Sequence, residues 1–274
     1  MILVNSIMNA IFDVILRPFA GLSPWYGIAA VSLVTGVVML LVFRYTSNQR
    51  ALRRAKDRIR AHLLEVRLYR DDMGVLLRAQ KDILLNNLAY LGHSLRPVAV
   101  MIVPVVLILV QLNTRYGYRP PRPGEAVILA AWFEPGADLI AHPPRLIAPP
   151  GLKVETPALR MPALHEVDWR IGAERPGAYV VRLVTAAGEV EKRITVASGW
   201  ARVSPRRVGS GLWETLLNPG EAPLPAGAAV REITVGYAPA ALPLWRWNVH
   251  WLVAFFVLSI AFGFALRGVF RVEI

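Results

Sequence analysis

Three stretches of the chain carry no charged residue and are long enough to cross a membrane. They cover residues 25–43, 97–114 and 247–266, and arginine borders each of them. A membrane-spanning helix needs roughly 17–25 predominantly apolar residues, so the pattern predicts three transmembrane helices, at residues 25–44, 97–114 and 245–267. Tryptophan stands at the start of the first and third, which is typical of helices that meet lipid headgroups. Buried helices of a soluble core are the alternative interpretation.

The first 20 residues show a different pattern. Asn5, Asn9, Asp13 and Arg17 recur every four residues and therefore share one helical face, while apolar residues cover the rest. This spacing predicts an amphipathic helix over residues 1–20 that lies in the membrane interface. A re-entrant segment packed against the spans is the alternative. A cleavable signal peptide is not expected, because the basic start and the small-residue cleavage motif are both missing.

Two helical repeats follow the first span. Within residues 45–96, apolar residues recur at spacings of three and four on both sides of Asp71, Asp72 and Gly74. Two amphipathic helices joined by a short turn would cover each other's apolar seams, so this segment is expected to form an antiparallel helical hairpin. One continuous bent helix is the alternative, because a single glycine is a weak helix breaker.

The charge distribution predicts the orientation. From Arg44 to Arg96 the chain has 12 Lys/Arg and 5 Asp/Glu, which accounts for more than half of the formal net charge of +12. Short loops rich in Lys and Arg mark the cytoplasmic side. Residues 45–96 and 268–274 are therefore expected in the cytoplasm, and the N-terminus and residues 115–244 outside. The basic hairpin offers a surface for anionic lipid or the ribosome, with a merely solvated face as the alternative, and no DNA partner is expected.

Residues 115–244 have the composition of an external all-β domain. Short alternating runs are separated by Pro and Gly, which predicts a small β-sandwich. The predicted strands are 126–133, 152–154, 167–171, 178–185, 189–196 and 229–237. The best hairpin joins the fourth and fifth of these, with a turn at Ala187-Gly188. Trp169 and the sequence Pro176-Gly177-x-Tyr179 resemble the core of an immunoglobulin-like sandwich.

Candidate chemistry is sparse. The chain has no cysteine, which excludes disulfides, thiolate metal sites and a cysteine nucleophile. His142 and His165 have no second ligand at metal-binding spacing, and Ser198, Ser204 and Ser210 lack the context of a catalytic serine. An intramembrane enzyme is a weak alternative, because the spans contain no Asp, Glu or Lys and their only histidine is His250 at one edge. We therefore expect no catalytic residues, no cofactor and no metal site.

The order of these segments resembles the YidC/Oxa/Alb superfamily of membrane insertases, in its compact three-span branch. The residues that carry the resemblance are Phe43-Arg44-Tyr45-Thr46-Ser47-Asn48-Gln49 after the first span, the amphipathic hairpin, and Arg96-Pro97 before the second span. It covers residues 1–114 and 245–274 and not the β-domain. The resemblance implies an α-helical membrane protein with a hydrated groove between its spans, which receives hydrophilic segments of client chains.

The resemblance also implies which residues line the groove. The client-groove candidates are Ser32, Thr35, Arg44, Asn48, Gln49 and Arg96. Family members often carry an arginine within the membrane, whereas Arg44 stands at the membrane boundary. Helix packing beside Gly36 is the alternative role for Ser32 and Thr35, and snorkelling is the alternative for Arg44 and Arg96.

Two classes of function remain open from the sequence. The first is a non-enzymatic insertase or membrane chaperone, whose partners are lipid, nascent membrane proteins and a protein bound by the β-domain. The second is a structural subunit in which the spans anchor a β-domain that binds a partner. A high ratio of Arg to Lys favours a GC-rich bacterial genome and hence the bacterial inner membrane.

Overall fold

A computed structural model describes residues 2–47, 54, 57–58, 61, 73–270 and 272. The chain forms two compact units. We call them the β unit, made of Met1–Gly27 and Leu107–Val253, and the helical unit, made of Ile28–Val106 and Ala254–Ile274. The predicted combination of a helical membrane part and a separate all-β region is confirmed.

The described residues include three helices that are long and apolar enough to cross a membrane. We number the α-helices α1 (Ile2–Leu16), α2 (Pro24–Thr46), α3 (Met73–Leu112), α4 (Leu212–Leu217) and α5 (Trp251–Phe270). The three candidate spans are α2, the segment Pro97–Gly117 that begins inside α3, and α5.

The helical unit exposes large apolar side chains on all three of its helices. Val38 on α2, Val103 on α3 and Val257 on α5 are each more than a third exposed, and Val103 reaches 64%. Contiguous apolar surface of this kind is rare on soluble monomers. It is expected where lipid tails surround the helices, and it therefore supports the assignment as spans.

The helix that contains the second span begins well before Pro97. α3 runs as one helix from Met73 to Leu112, with Pro97 and Pro104 both inside it. Proline has helical φ but cannot donate a backbone hydrogen bond, and transmembrane helices tolerate the loss when neighbouring groups compensate. The second half of the predicted cytoplasmic hairpin and the second span are thus one element. The first half, over residues 48–72, falls almost wholly outside the described residues.

The chain leaves α3 through a π-helical turn, Asn113–Gly117, that extends past the predicted end of the span at residue 114. Thr114, Arg115 and Tyr116 are buried in this turn. Single π-helical turns inside or beside helices are uncommon and often occur at functional sites.

The β unit contains two main antiparallel sheets. Its strands are β1 (Tyr118–Arg119), β2 (Ala126–Phe133), β3 (Arg145–Ile147), β4 (Leu152–Val154), β5 (Leu159–Met161), β6 (Glu166–Ala173), β7 (Gly177–Thr185), β8 (Gly188–Val196), β9 (Arg206–Val208), β10 (Val230–Val235), β11 (Ala238–Pro239), β12 (Leu242–Leu244) and β13 (Trp247–Val249). One sheet has the order β4-β6-β2-β10-β9, with β5 also paired to β6, and the other has the order β3-β7-β8. The pairs β1-β11 and β12-β13 form small ribbons.

Both sheets bury alternate side chains in one shared core. β2 and β6 contribute Leu129 and Trp169 from one sheet, and β7 and β8 contribute Val181 and Ile194 from the other. Two antiparallel sheets that share a core are a β-sandwich, as predicted. The alternation of apolar and polar residues was a sufficient signal, because each strand has one face toward the core.

One detail of the predicted hairpin is wrong. Thr185 pairs with Gly188, so the turn is Ala186-Ala187 and lies one residue earlier than expected. Gly188 is the first residue of β8 and has φ of +125°, a conformation that favours glycine. The glycine therefore serves the strand start instead of the turn itself.

Helix α1 turns its polar face onto the β unit. Asn5 donates to the carbonyl of Thr215 in α4 at 2.6 Å, and Asn9 donates to the carbonyl of Pro219 at 3.1 Å. The opposite face stays exposed, and its apolar side chains are Leu3, Ile7, Ile11 and Val14. The amphipathic pattern is therefore inverted relative to a soluble helix, since protein covers the polar side. The element ends earlier than predicted, at Leu16, and a 3-10 turn over Arg17–Phe19 follows it.

A pair of carboxyl groups on β6 should make stability depend on pH. Burial raises the pKa of both Glu166 and Asp168, and the two groups also interact with each other. One carboxyl oxygen of Asp168 is buried and has no hydrogen-bond partner among the described residues. The folded state therefore holds protons that the unfolded chain has already released. Stability should fall as pH rises above the ordinary carboxyl pKa of about 4.

The substitution D168N should remove most of this pH dependence. We expect the melting temperature of the full chain in detergent to rise at pH 7 and to change little at pH 3.5. D138N is the matched control, because backbone hydrogen bonds from Ile140 and Ala141 lower the pKa of Asp138. The control should have the opposite sign and lower the melting temperature at pH 7. Melting temperatures that shift in the same direction at pH 7 in both variants would contradict a raised pKa of Asp168 beside a lowered pKa of Asp138.

Candidate functional site

A cavity of about 370 Å³ lies between the three helices of the helical unit. Met39 and Phe43 of α2, Met101 of α3, and Phe256 and Phe264 of α5 form part of its walls. The walls come from the second half of α2, from the first half of the span in α3 and from the middle of α5.

The walls of this cavity are almost entirely apolar. Thr35 and Ser259 are its hydroxyl-bearing residues, and the other lining residues are apolar or glycine. The Thr35 hydroxyl donates to the carbonyl of Val31 at 2.7 Å, within its own helix. The Ser259 hydroxyl is buried and has no hydrogen-bond partner among the described residues. Such walls favour an apolar occupant and disfavour the hydrated groove that the resemblance implies.

Ser32 has a packing role and does not line the cavity. Its side chain is 0% exposed, and its hydroxyl donates to the carbonyl of Phe255 in α5 at 3.3 Å. One turn later, a Cβ added at Gly36 would lie 3.3 Å from the carbonyl oxygen of Ser259 and 3.4 Å from the amide nitrogen of Gly263. Helices α2 and α5 approach closely here because their contact residues are small.

Arg44 does not line the cavity. Arg44 is exposed at the end of α2, with its guanidinium 6.0 Å from the centre of the Tyr45 ring. Arg96 is a position within α3, directly before Pro97. Asn48 and Gln49 lie outside the described residues. Of the three candidates whose side chains the structure describes, Thr35 is the one that lines the cavity.

The sequence contains a signal for this site that the polar candidates did not capture. Ser32 and Gly36 in α2, and Ser259 and Gly263 in α5, are each four residues apart. Pairs of small residues at this spacing let two transmembrane helices approach closely. Two helices that touch at small residues are held further apart where larger residues meet, and this leaves space between them. The small-residue pattern therefore indicates both the α2–α5 contact and the neighbouring cavity.

No family model matches the chain, and no curated protein or solved structure matches it either. Among the described residues, no group of three or more His, Asp or Glu side chains lies close enough to hold a metal ion.

Proposed function

We propose that this chain is a membrane insertase or membrane chaperone that receives transmembrane segments of client proteins between its own spans. The observation that supports the proposal is the apolar cavity bounded by α2, α3 and α5. The excess of Lys and Arg between Arg44 and Arg96 supports a cytoplasmic location of residues 45–96 and an external location of residues 115–244, and the high ratio of Arg to Lys supports a bacterial cytoplasmic membrane. The resemblance of the helical part to the YidC/Oxa/Alb superfamily supports the same function.

The composition of the walls narrows the class of client. Lipid tails are as apolar as the client, so association in the membrane depends on packing more than on the hydrophobic effect. Met39 and Met101 supply flexible, polarisable surfaces that adapt to different side chains. A charged client residue would find little compensation here, and it would cost several kcal/mol near the bilayer centre. The proposed clients are therefore apolar segments in transit, held before they pack into their own fold.

The alternative function is a structural subunit in which the β unit binds a partner. The β-sandwich favours this alternative, because it is large and has a hydrophobic core of its own. An immunoglobulin-like form of this sandwich is supported by Tyr179, whose hydroxyl donates to the carbonyl of Arg175 at 3.0 Å. A tyrosine near a strand start that bonds back to upstream backbone is a feature of that fold. Both proposed functions allow the β unit to bind a partner outside the cytoplasm.

Filling the cavity should separate the two functions. We expect M101W, which places an indole in the cavity, to reduce insertion of a client transmembrane segment into proteoliposomes by about tenfold, equivalent to about 1.4 kcal/mol of lost client binding. The control is V103W on the exposed face of the same helix, which should stay within about twofold of the parent by the same measure. Equal effects of the two variants, or no effect of M101W in a folded protein, would favour the structural subunit.

A further inference from the structure

A second cavity, of about 260 Å³, lies in the β unit beside the C-terminal end of α1. Its charged lining residues are Asp13, Arg17, Arg115 and Arg202, and Tyr116 and Trp200 add aromatic surface. None of these residues has a role in the function proposed above. The volume is slightly below the range of about 300–1,000 Å³ typical of small-molecule sites, so it suits a small ligand or one fragment of a larger one.

The charges in this cavity are not balanced. Three guanidinium groups face one carboxylate, which leaves a formal excess of two positive charges. Asp13 accepts from Arg115 at 2.5 Å, and its other oxygen lies 3.9 Å from Arg202. Arg17 is exposed and makes no ion pair with any residue that the structure describes. The carboxylate is therefore engaged already, and it cannot neutralise all three arginines.

Arg115 is held in place and does not move freely. Its guanidinium donates to the Gln111 side-chain oxygen at 2.6 Å and to the Asn9 carbonyl at 3.4 Å, and it lies over the Phe12 ring. The side chain is only 7% exposed. A fixed, buried cation costs little reorganisation when it meets an anion, which is the condition for a specific site instead of a diffuse basic patch.

The pKa of Arg202 reflects the excess of positive charge in this cavity. Burial lowers its pKa, and the neighbouring positive charge of Arg115 lowers it further. One of its amino groups donates to the carbonyl of Pro219 at 2.9 Å, so the side chain stays anchored at the cavity. A bound anion would relieve the repulsion between these two arginines.

Two candidate spans have their ends at this cavity. Arg115 and Tyr116 belong to the last turn of the candidate span Pro97–Gly117, and Pro24 at the start of α2 also lines the cavity. Leu22, which lines the cavity, is 56% exposed, and exposed apolar side chains cover the opposite face of α1. Lipid tails would lie beside these apolar groups, with headgroups at the arginines.

We propose that this cavity binds a phosphate group, held by Arg17 and Arg202, with the fixed Arg115 adding a buried positive charge beside it. Guanidinium groups bind phosphate with paired, charge-assisted hydrogen bonds. Two sources share this chemistry, namely the headgroup of an anionic phospholipid and a soluble phosphate ester. The exposed Leu22 in the cavity lining and the ends of the two candidate spans beside it favour the phospholipid.

The test compares two double variants of the full chain in nanodiscs that contain phosphatidylglycerol and phosphatidylcholine. R17Q/R202Q removes two of the cavity's guanidinium groups and keeps Arg115, which also holds α1. R145Q/R160Q is the matched control, because it removes the same charge from exposed positions of the β unit outside the cavity. Thermal melting establishes that both variants fold, and native mass spectrometry counts the phospholipid retained after detergent extraction.

We expect the parent and the control to retain phosphatidylglycerol in preference to phosphatidylcholine, and R17Q/R202Q to lose this retention by about tenfold, since two charge-assisted contacts are removed. A second arm titrates sn-glycerol 3-phosphate into lipid-free protein. Saturable, arginine-dependent binding there without retained lipid would identify a soluble phosphate ester as the source. Equal retention by the two double variants together with no binding of sn-glycerol 3-phosphate, or no binding of either probe by the parent, would overturn the proposal.

Discussion

Replacing Glu221 by alanine is expected to destabilise the protein by about 3–5 kcal/mol, which is the usual cost of leaving a buried charge without its partner. The partner is Lys192, whose side chain is 1% exposed inside the sandwich. Its ammonium group donates to Glu221 and to the carbonyl and hydroxyl oxygens of Ser204, the former at 2.6 Å. Without Glu221 the ammonium keeps only neutral acceptors, in surroundings where burial already lowers its pKa.

An exposed ion pair of the same sandwich provides the control for this prediction. Arg182 and Glu189 are 3.4 Å apart and about half exposed, so E189A should cost no more than about 1 kcal/mol. The measurement is denaturant unfolding of the full chain in detergent, followed by tryptophan fluorescence, for which the buried Trp169 is a suitable probe. Similar losses of unfolding free energy for E221A and E189A would show that the buried ion pair stabilises the protein no more than the exposed one.

The second large loss of stability is expected for the substitution G151V. Gly151 has φ of +106°, and an added Cβ would collide with the Tyr179 ring. Left-handed backbone costs a β-branched residue roughly 1–2 kcal/mol or more, and overpacking adds typically 1–3 kcal/mol. We therefore expect a loss of about 2–5 kcal/mol, together with displacement of the Tyr179 hydroxyl from the Arg175 carbonyl.

A second glycine separates these two causes. Gly136 has nearly the same φ, +104°, but no atom lies within 4 Å of the Cβ that a substitution would add. G136V should therefore cost only the backbone strain of about 1–2 kcal/mol. The difference between the two variants in the same unfolding assay measures the contact with Tyr179. Equal losses would mean that the tyrosine moves aside at no cost.

The sandwich illustrates what the pattern of apolar residues can predict. Strands β6, β7, β8 and β10 have alternating residues, β2 is an unbroken apolar run of eight residues, and all five were expected close to their observed positions. The missed strands, such as β3 and β9, are three residues long, which is too short for an alternation to register. Strand length separates most of the predicted strands from the missed ones, except that β4 was predicted although it is three residues long.

Contacts between distant segments could not be predicted in this way. Lys192 occupies an inward position of β8 where alternation predicts an apolar residue, and its partner lies 29 residues further along the chain. Arg115 looked like the flank of a span, although it is buried beneath α1 and bonded to Asp13, 102 residues away. Both residues depend on how the segments pack, which no local period encodes.

The candidate groove also separates what composition predicts from what depends on packing. The existence of three spans follows from composition, but the polar side chains chosen to line a groove did not identify its walls. Ser32 is satisfied by a backbone carbonyl in α5, and Thr35 by one in its own helix. The cavity arises from where large and small residues meet across helices, so the small-residue spacing was the more informative signal.

Photocrosslinking from two adjacent residues of α2 tests the central claim most directly. Met39 lines the cavity between the spans, whereas Val38 is exposed on the outer face of the same helix. With a photoreactive amino acid at each position in turn, we predict crosslinks from position 39, and not from position 38, to several different nascent membrane proteins. Crosslinks absent from position 39, with contacts confined to the β unit and to one stable partner, would contradict the insertase account and favour a structural subunit.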